Sequence, residues 1–214
     1  MKEKPSEWIV ISDLMAGVMA VMMLLLVLSI MQKATSEALY EEALAQTRAK
    51  QQSPLRTTTE KIATIIQNSS ASNLLEMDSV NARLTLRDGV FEKGSACLTA
   101  EAIAAVQSVQ NQVEIFLKEN ENSKIFIEGY TDNLPVKNPV LDVMRFCTVY
   151  DDNYTLSAAR AREARKALVG ALNEQEAKRI IVAGYGDSSP LPGVDPADAR
   201  NRRVEVQLAL SQND

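Results

Sequence analysis

The sequence predicts an α/β protein: an N-terminal single transmembrane helix, a helical linker, and a C-terminal β-α-β-α-β-β two-layer sandwich. Three observations predict it. Apolar residues crowd into one long run near the N-terminus, a stretch rich in Ala, Glu, Gln and Leu follows, and beyond about residue 74 period-two segments alternate with helically spaced ones. Strands alternating with helices imply at least one parallel β-α-β unit, whose crossover is right-handed in nearly all proteins.

From Trp8 to Met31 the only ionisable side chain is Asp13. At about 1.5 Å per residue that run makes a helix of roughly 36 Å, enough to cross a hydrocarbon layer of about 30 Å. A cleaved signal peptide is the competing reading. Its apolar region would run only about 7 to 15 residues, and no A-x-A-like site follows Ile30. Lys2 and Lys4 precede the span while Lys33, Arg48 and Lys50 follow it, so the positive-inside count does not orient it. The short head argues for a cytoplasmic N-terminus.

Residues 32–50 contain no Gly or Pro and favour helix. Ser53, Pro54 and three consecutive threonines within 51–59 predict a break, and Ile62, Ile65 and Ile66 a second short helix to about Asn68. Small polar residues at 69–73 mark a boundary. The division is therefore a head at 1–7, a span at 8–31, a helical linker or plug at 32–73 and a folded domain at 74–214.

In the domain, Val80, Ala82, Leu84 and Leu86 alternate with polar residues as in a half-buried strand ended by Asp88-Gly89. Thr99 is placed to cap a helix carrying Ile103, Val106, Val109, Val113 and Leu117. Residues 124–130 read as a second strand, 156–172 as a second helix, 179–185 as a third strand and 203–210 as a fourth.

The net charge of −5 is spread through the chain, with no basic field, which argues against a nucleic-acid partner. There is no histidine. With no metal-ligand cluster, no G-x-S-x-G elbow and no Walker loop either, the sequence predicts neither catalytic chemistry nor a cofactor. Both cysteines, Cys97 and Cys147, lie beyond the span, in what would be an oxidising compartment. Cys97 opens the first helix at the carboxyl end of the first strand. Parallel strands put that end beside the loop after Tyr130, which leads to Cys147. A disulfide and two separate thiols both fit.

Five segments in order resemble the OmpA-like peptidoglycan-binding domain: the run Phe91 to Ala96, Ile127 to Asn133, Asn153 to Ala161, Gly184 to Asp187, and Asn201 to Glu205. Upstream, Ser12-Asp13-Leu14-Met15-Ala16 at the start of a membrane helix resembles the B subunits of ion-driven stator units, the MotB family. The compact chain, the short head and the D-L-M-A-G start are most similar to ZorB, the MotB-like subunit of Zorya anti-phage systems. The resemblance implies a bacterial inner-membrane, single-pass protein with a periplasmic C-terminal domain. It also implies a homodimer, enclosed by a ring of MotA-like or ZorA-like subunits. One departure is Tyr130, where the family often has His.

For the wall-binding site, the resemblance carries over Asp132, from the Thr-Asp pair, and Arg160, from L-S-x-x-R-A. Diaminopimelate in a peptidoglycan stem peptide ends in an ammonium and a carboxylate on one carbon, so its receptor needs an anion and an arginine fork at fixed separation. Asp132 follows the second strand and Arg160 falls in the first turns of the next helix, so both sit at one end of the sheet. Asn153, expected just before that helix, would bring backbone donors toward a carboxylate. Thr131, Leu156 and Arg203 are expected neighbours. The plainer reading gives Asp132 an Asx-turn, Arg160 a surface acid, and Arg202 and Arg203 structural roles, such as pairing with Asp187.

A carboxylate at mid-bilayer depth costs about 2.5 to 3.5 kcal/mol, so such residues usually face protein or water and serve ions. Asp13 is thereby expected to carry ions, with Ser12 beside it; few oxygen ligands beyond Ser12 and Ser29 favour H⁺ over Na⁺. Snorkelling to the interface, or capping the helix start, is the plainer alternative.

Overall fold

The computed structural model describes residues 7–170 and 172–211. Most of the head assigned to residues 1–7, including Lys2 and Lys4, lies outside them. The chain divides into two compact units, Met1–Lys50 and Gln51–Asp214.

The first helix, α1, runs Glu7–Gln67. Within it, Ile11–Leu44 is the stretch, among the described residues, long and apolar enough to cross a membrane, its most apolar 18 residues having a mean hydropathy of 2.7. Its large apolar side chains, from Leu14 to Met31, lie exposed. Such a surface is stable only against an apolar surrounding.

The expected break at 51–59 does not occur, because α1 continues through Pro54. Proline in a helix interior costs about 3 kcal/mol, and burial offsets it. Ile62 and Ile66 enter the core of the second unit and Leu55 packs against it, each buried isoleucine contributing about 1.5 to 3 kcal/mol. The threonine hydroxyls that suggested a loop turn back on the helix: Thr58 Oγ1 donates to the Pro54 carbonyl and Thr59 Oγ1 to that of Arg56, both at 2.9 Å. Thr59, Ile62 and Ile66 are thus buried in the second unit, which begins well before residue 74.

The second unit is a five-stranded sheet with helices on one face. Its strands are β1 (Leu75–Asp78), β2 (Arg83–Leu86), β3 (Ser123–Tyr130), β4 (Ile180–Gly184) and β5 (Arg203–Leu210). Their spatial order is β1-β2-β5-β3-β4. Helix α2 (Ala100–Glu119) connects β2 to β3; a single turn α3 (Val143–Phe146), then α4 (Asn153–Val169) and α5 (Glu174–Lys178), connect β3 to β4. β3 and β4 are parallel around α4, and the other neighbours are antiparallel.

Strand β1 was not anticipated. Residues 79–82 form a turn in which the Asp78 carboxylate accepts from the backbone N–H groups of Val80 and Asn81. Val80, expected inside the strand, is 94% exposed there. A side chain taken for a core position therefore sits at a hairpin tip, because Asx-turn chemistry overrides an apparent alternation. Thr99 does cap α2, accepting from Ala102 N–H. Val106, Val109, Val113, Phe116 and Leu117 fill the core against Leu84, Leu86, Ile125, Ile127, Val204, Val206 and Leu208, while Ile103 stays at the surface.

Two glycines set how close α4 lies to the sheet. Gly129 and Gly184 are register partners in β3 and β4. A Cβ on Gly129 would fall 2.0 Å from the Ser157 carbonyl oxygen, and one on Gly184 2.6 Å from Ala158 N. Gly129→Ala is accordingly expected to cost about 3 kcal/mol, lowering the unfolding midpoint of the detergent-solubilised chain by roughly 10 °C. Thermal unfolding followed by circular dichroism measures it.

Candidate functional site

The close approach of α4 brings the ends of β3 and α4 together at one edge of the sheet. Thr131 N–H donates to the Gly186 carbonyl at 2.8 Å, and Gly186 N–H to Ser157 Oγ at 2.9 Å, tying the loops after β3 and β4 to α4. Asp152, not Asn153, caps α4, accepting from Thr155 N–H. Asn153 is instead the first residue of the helix, and its Nδ2 donates to the carbonyls of Asp132 (3.2 Å) and Leu134 (3.1 Å). It shapes the Asp132 loop rather than presenting itself ahead of the helix.

A cleft of about 750 Å³ opens here, lined among others by Thr131, Asp132, Asn153, Leu156, Arg160 and Arg202. Five of the six residues expected at the wall site thus share one cavity. Arg203 does not line it. Side chains alternate along a strand, and Arg203 lies with Glu205 on the face opposite Val204 and Val206. Its Nε donates to Glu205 at 2.6 Å, and its guanidinium stacks 3.9 Å from the centroid of the Tyr130 ring.

Arg202 takes the place expected of Arg203. Its Nε and Nη2 grip Asp88 at 2.6 and 2.8 Å, while Nη1 donates to Asp132 Oδ2 at 2.6 Å. The suggested pairing with Asp187 is not made by this side chain. The strand parity of Val204 and Val206, which face the helices, was the available signal: it sends the residue before Arg203 toward α4. Asp88 had no comparable signal, since Asp-Gly after a strand reads as a turn. The hydrogen bonds to Asp88, and then that to Asp132, hold the Arg202 guanidinium well above its ordinary range.

Asp132 is 6% exposed. Its Oδ1 also accepts from Leu134 N–H at 3.2 Å, so an Asx-turn and an ion pair coexist on one carboxylate. Arg160 is 4% exposed, the Phe91 ring lies under its guanidinium at 5.3 Å, and its Nε donates to the Ser95 carbonyl at 3.0 Å. Burial pushes its guanidinium down from the ordinary value, countered first by the charge of Asp88. It stays a cation at any ordinary pH. Its two Nη nitrogens bond to no group among the described residues and are not sealed from the cleft. Thr131 Oγ1 is buried with no hydrogen-bond partner among the described residues. Asp88, Asp132, Arg160 and Arg202 carry balanced charge, which suits a zwitterionic guest.

The long 134–152 connection forms one wall. It is ordered by a bridge between Val140 and Tyr150 and by the turn α3, capped by Asp142. Cys147, at its end, is bonded to Cys97, with Cα atoms 5.1 Å apart.

Hydrogen bonding to Thr155 N–H holds the Asp152 carboxylate below its ordinary range. A depressed folded-state value means that this cap stabilises the start of α4 above about pH 4 and loses its effect as pH falls through the depressed value. Asp152→Ala is expected to lower the unfolding midpoint at pH 7, with the gap to wild type narrowing as pH falls below the ordinary carboxylate range, as melts at a series of pH values would measure.

Residues 90–203, just over half of the chain, match the OmpA family. The chain is 29% identical over 169 residues to motility protein B of Bacillus subtilis (strain 168), covering 75% of this chain and 58% of that protein. It therefore spans less than two thirds of its curated relative. Its fold is similar to a MotB-like protein from Desulfovibrio vulgaris, at 22% identity and a TM-score of 0.54, covering 73% of this chain and 94% of that one. It is also similar to the cell wall anchor of the T6SS from Pseudomonas aeruginosa, at 22% identity and a TM-score of 0.52, covering 71% and 97%.

Proposed function

Since the chain belongs to the OmpA family, we propose that it is the wall-holding B subunit of a MotB-type, proton-driven stator and grips peptidoglycan through the Arg160 cleft. The observation that carries the wall-binding reading is the state of Arg160. One edge of its guanidinium is committed to Ser95 and the other is left to the cleft. That unspent edge suits the terminal carboxylate of a diaminopimelate stem, as a bidentate, charge-assisted pair. Asp132 receives the ammonium on the same carbon, and Thr131 Oγ1 gains the partner it lacks. Arg202, anchored by two bonds to Asp88, holds Asp132 Oδ2 in place through its Nη1.

In this reading residues 8–31 cross the inner membrane, with the head in the cytoplasm, residues 32–50 link or plug, and the folded domain from residue 51 onward stands in the periplasm. Two copies form an axle inside a ring of MotA-like subunits. Asp13, beside Ser12, takes up and releases protons, and each charge moved down the membrane potential supplies about 2.3 kcal/mol per 100 mV. The D-L-M-A-G start at residues 13–17 supports placement among Zorya-like defence motors rather than flagellar ones. No cofactor and no catalytic chemistry of its own enter this function. Pull-down of the detergent-solubilised chain by purified sacculi, competed by free meso-diaminopimelate, tests the wall-binding part. Binding that diaminopimelate does not displace would overturn it.

A further inference from the structure

Arg160 reaches the cleft on a long flexible side chain, so its direction depends on what holds the Nε edge. The holder is the Ser95 carbonyl, in a loop whose pairing outside the named strands is the bridge between Phe91 and Leu98. That loop takes its shape from the opposite wall. The Phe146 carbonyl accepts from Ala96 N–H at 3.1 Å and from Ser95 Oγ at 3.2 Å, while Ser95 Oγ accepts from Cys97 N–H at 2.9 Å. Across these same residues runs the bond between Cys97 and Cys147. Cys147 has φ +57°, a left-handed conformation that a non-glycine residue adopts only when its surroundings impose it. Arg162 Nη2 also donates to its carbonyl, at 2.6 Å. Each of these hydrogen bonds is individually weak in net terms, and each joins a loop to a long connection that would be costly to order alone. The covalent bond keeps their partners together.

We infer that the Cys97–Cys147 disulfide is a positioning element for Arg160, acting through Ser95, so that the chain grips the wall in its oxidised form. This rests on the cleft reading above. Bond formation takes two electrons and two protons from the two thiols to a small-molecule disulfide, which leaves as two thiols. Wall binding is thereby licensed by arrival in an oxidising compartment, and a chain still reduced would be a poor binder.

The test uses the full chain in detergent, with two probes: a synthetic muropeptide ending in meso-diaminopimelate, and its analogue with the terminal carboxylate made a carboxamide. The oxidised chain is expected to prefer the acid by about tenfold or more, the scale of one charge-assisted pair. Reduction by a dithiol, or Cys97→Ala with Cys147→Ala, collapses that preference while the amide affinity and the far-ultraviolet dichroism hold; reoxidation restores it. In an Arg160→Ala background reduction changes neither affinity. Retention of the full acid preference by the reduced chain overturns the inference and leaves the wall-binding reading standing, whereas an oxidised chain that binds neither probe overturns both. Where reduction unfolds the domain, Cys97→Val with Cys147→Ala, which refills the space without the covalent bond, reads the same path, and an unchanged acid-to-amide ratio there overturns the inference.

Discussion

Arg160→Ala is expected to abolish capture of the chain by purified sacculi, with affinity for a diaminopimelate muropeptide falling at least about 100-fold. The magnitude follows from the environment. A bidentate pair to a carboxylate inside a cleft is worth roughly twice a neutral hydrogen bond, and loss of one partner also leaves the guest carboxylate desolvated and unpaired. Arg160→Lys keeps the charge but loses the fork, so it should fall between wild type and alanine. Asp132→Asn removes the partner of the ammonium and is expected to weaken binding comparably, with Arg202 still held by Asp88. Isothermal titration with the muropeptide, alongside a thermal melt to verify folding, decides it. Affinity within about twofold of wild type for both variants would remove this cleft as the wall site.

Asp13→Asn is expected to eliminate all ion-driven activity while leaving membrane insertion and sacculus binding unchanged. The substitution keeps the shape of the side chain and deletes its titratable charge, and without a protonation cycle no energy is drawn from the membrane potential. The measurement is made in cells expressing the chain together with the MotA-like subunits proposed above. Efficiency of phage plating should return to that of unprotected cells if the motor serves defence, and swimming should stop if it serves motility. An Asp13→Asn chain with full activity in both assays would make the protein a passive wall tether.

Much of the fold was readable because burial imposes periods. The helical spacing of Val106, Val109, Val113 and Leu117 marked α2, and Thr99 marked its start. Strand β5 shows the same clarity, since Val204, Val206 and Leu208 alternate with polar neighbours over the range found in the structure. The glycines in the motifs around residues 127–133 and 184–187 also have a physical reason to be there: α4 cannot approach the sheet over any larger residue at Gly129 or Gly184. Short elements were not readable. β1 has four residues, too few for a period, and Pro54 signalled a break that the burial of Ile62 and Ile66 overrides.

The candidate site divides in the same way. The sequence by itself determined that an aspartate after β3 and an arginine in the first turns of α4 lie at the same end of the sheet, because chain direction dictates it. It equally determined an apolar helix with a single ionisable residue at Asp13. Only the tertiary structure decided that Arg202 rather than Arg203 enters the cleft, that Asp88 anchors it, that Arg160 has one edge bound and one unspent, and that Cys97 is bonded to Cys147. Those outcomes depend on contacts between residues 50 to more than 100 positions apart, and no local period or propensity encodes which of two adjacent arginines finds which acid.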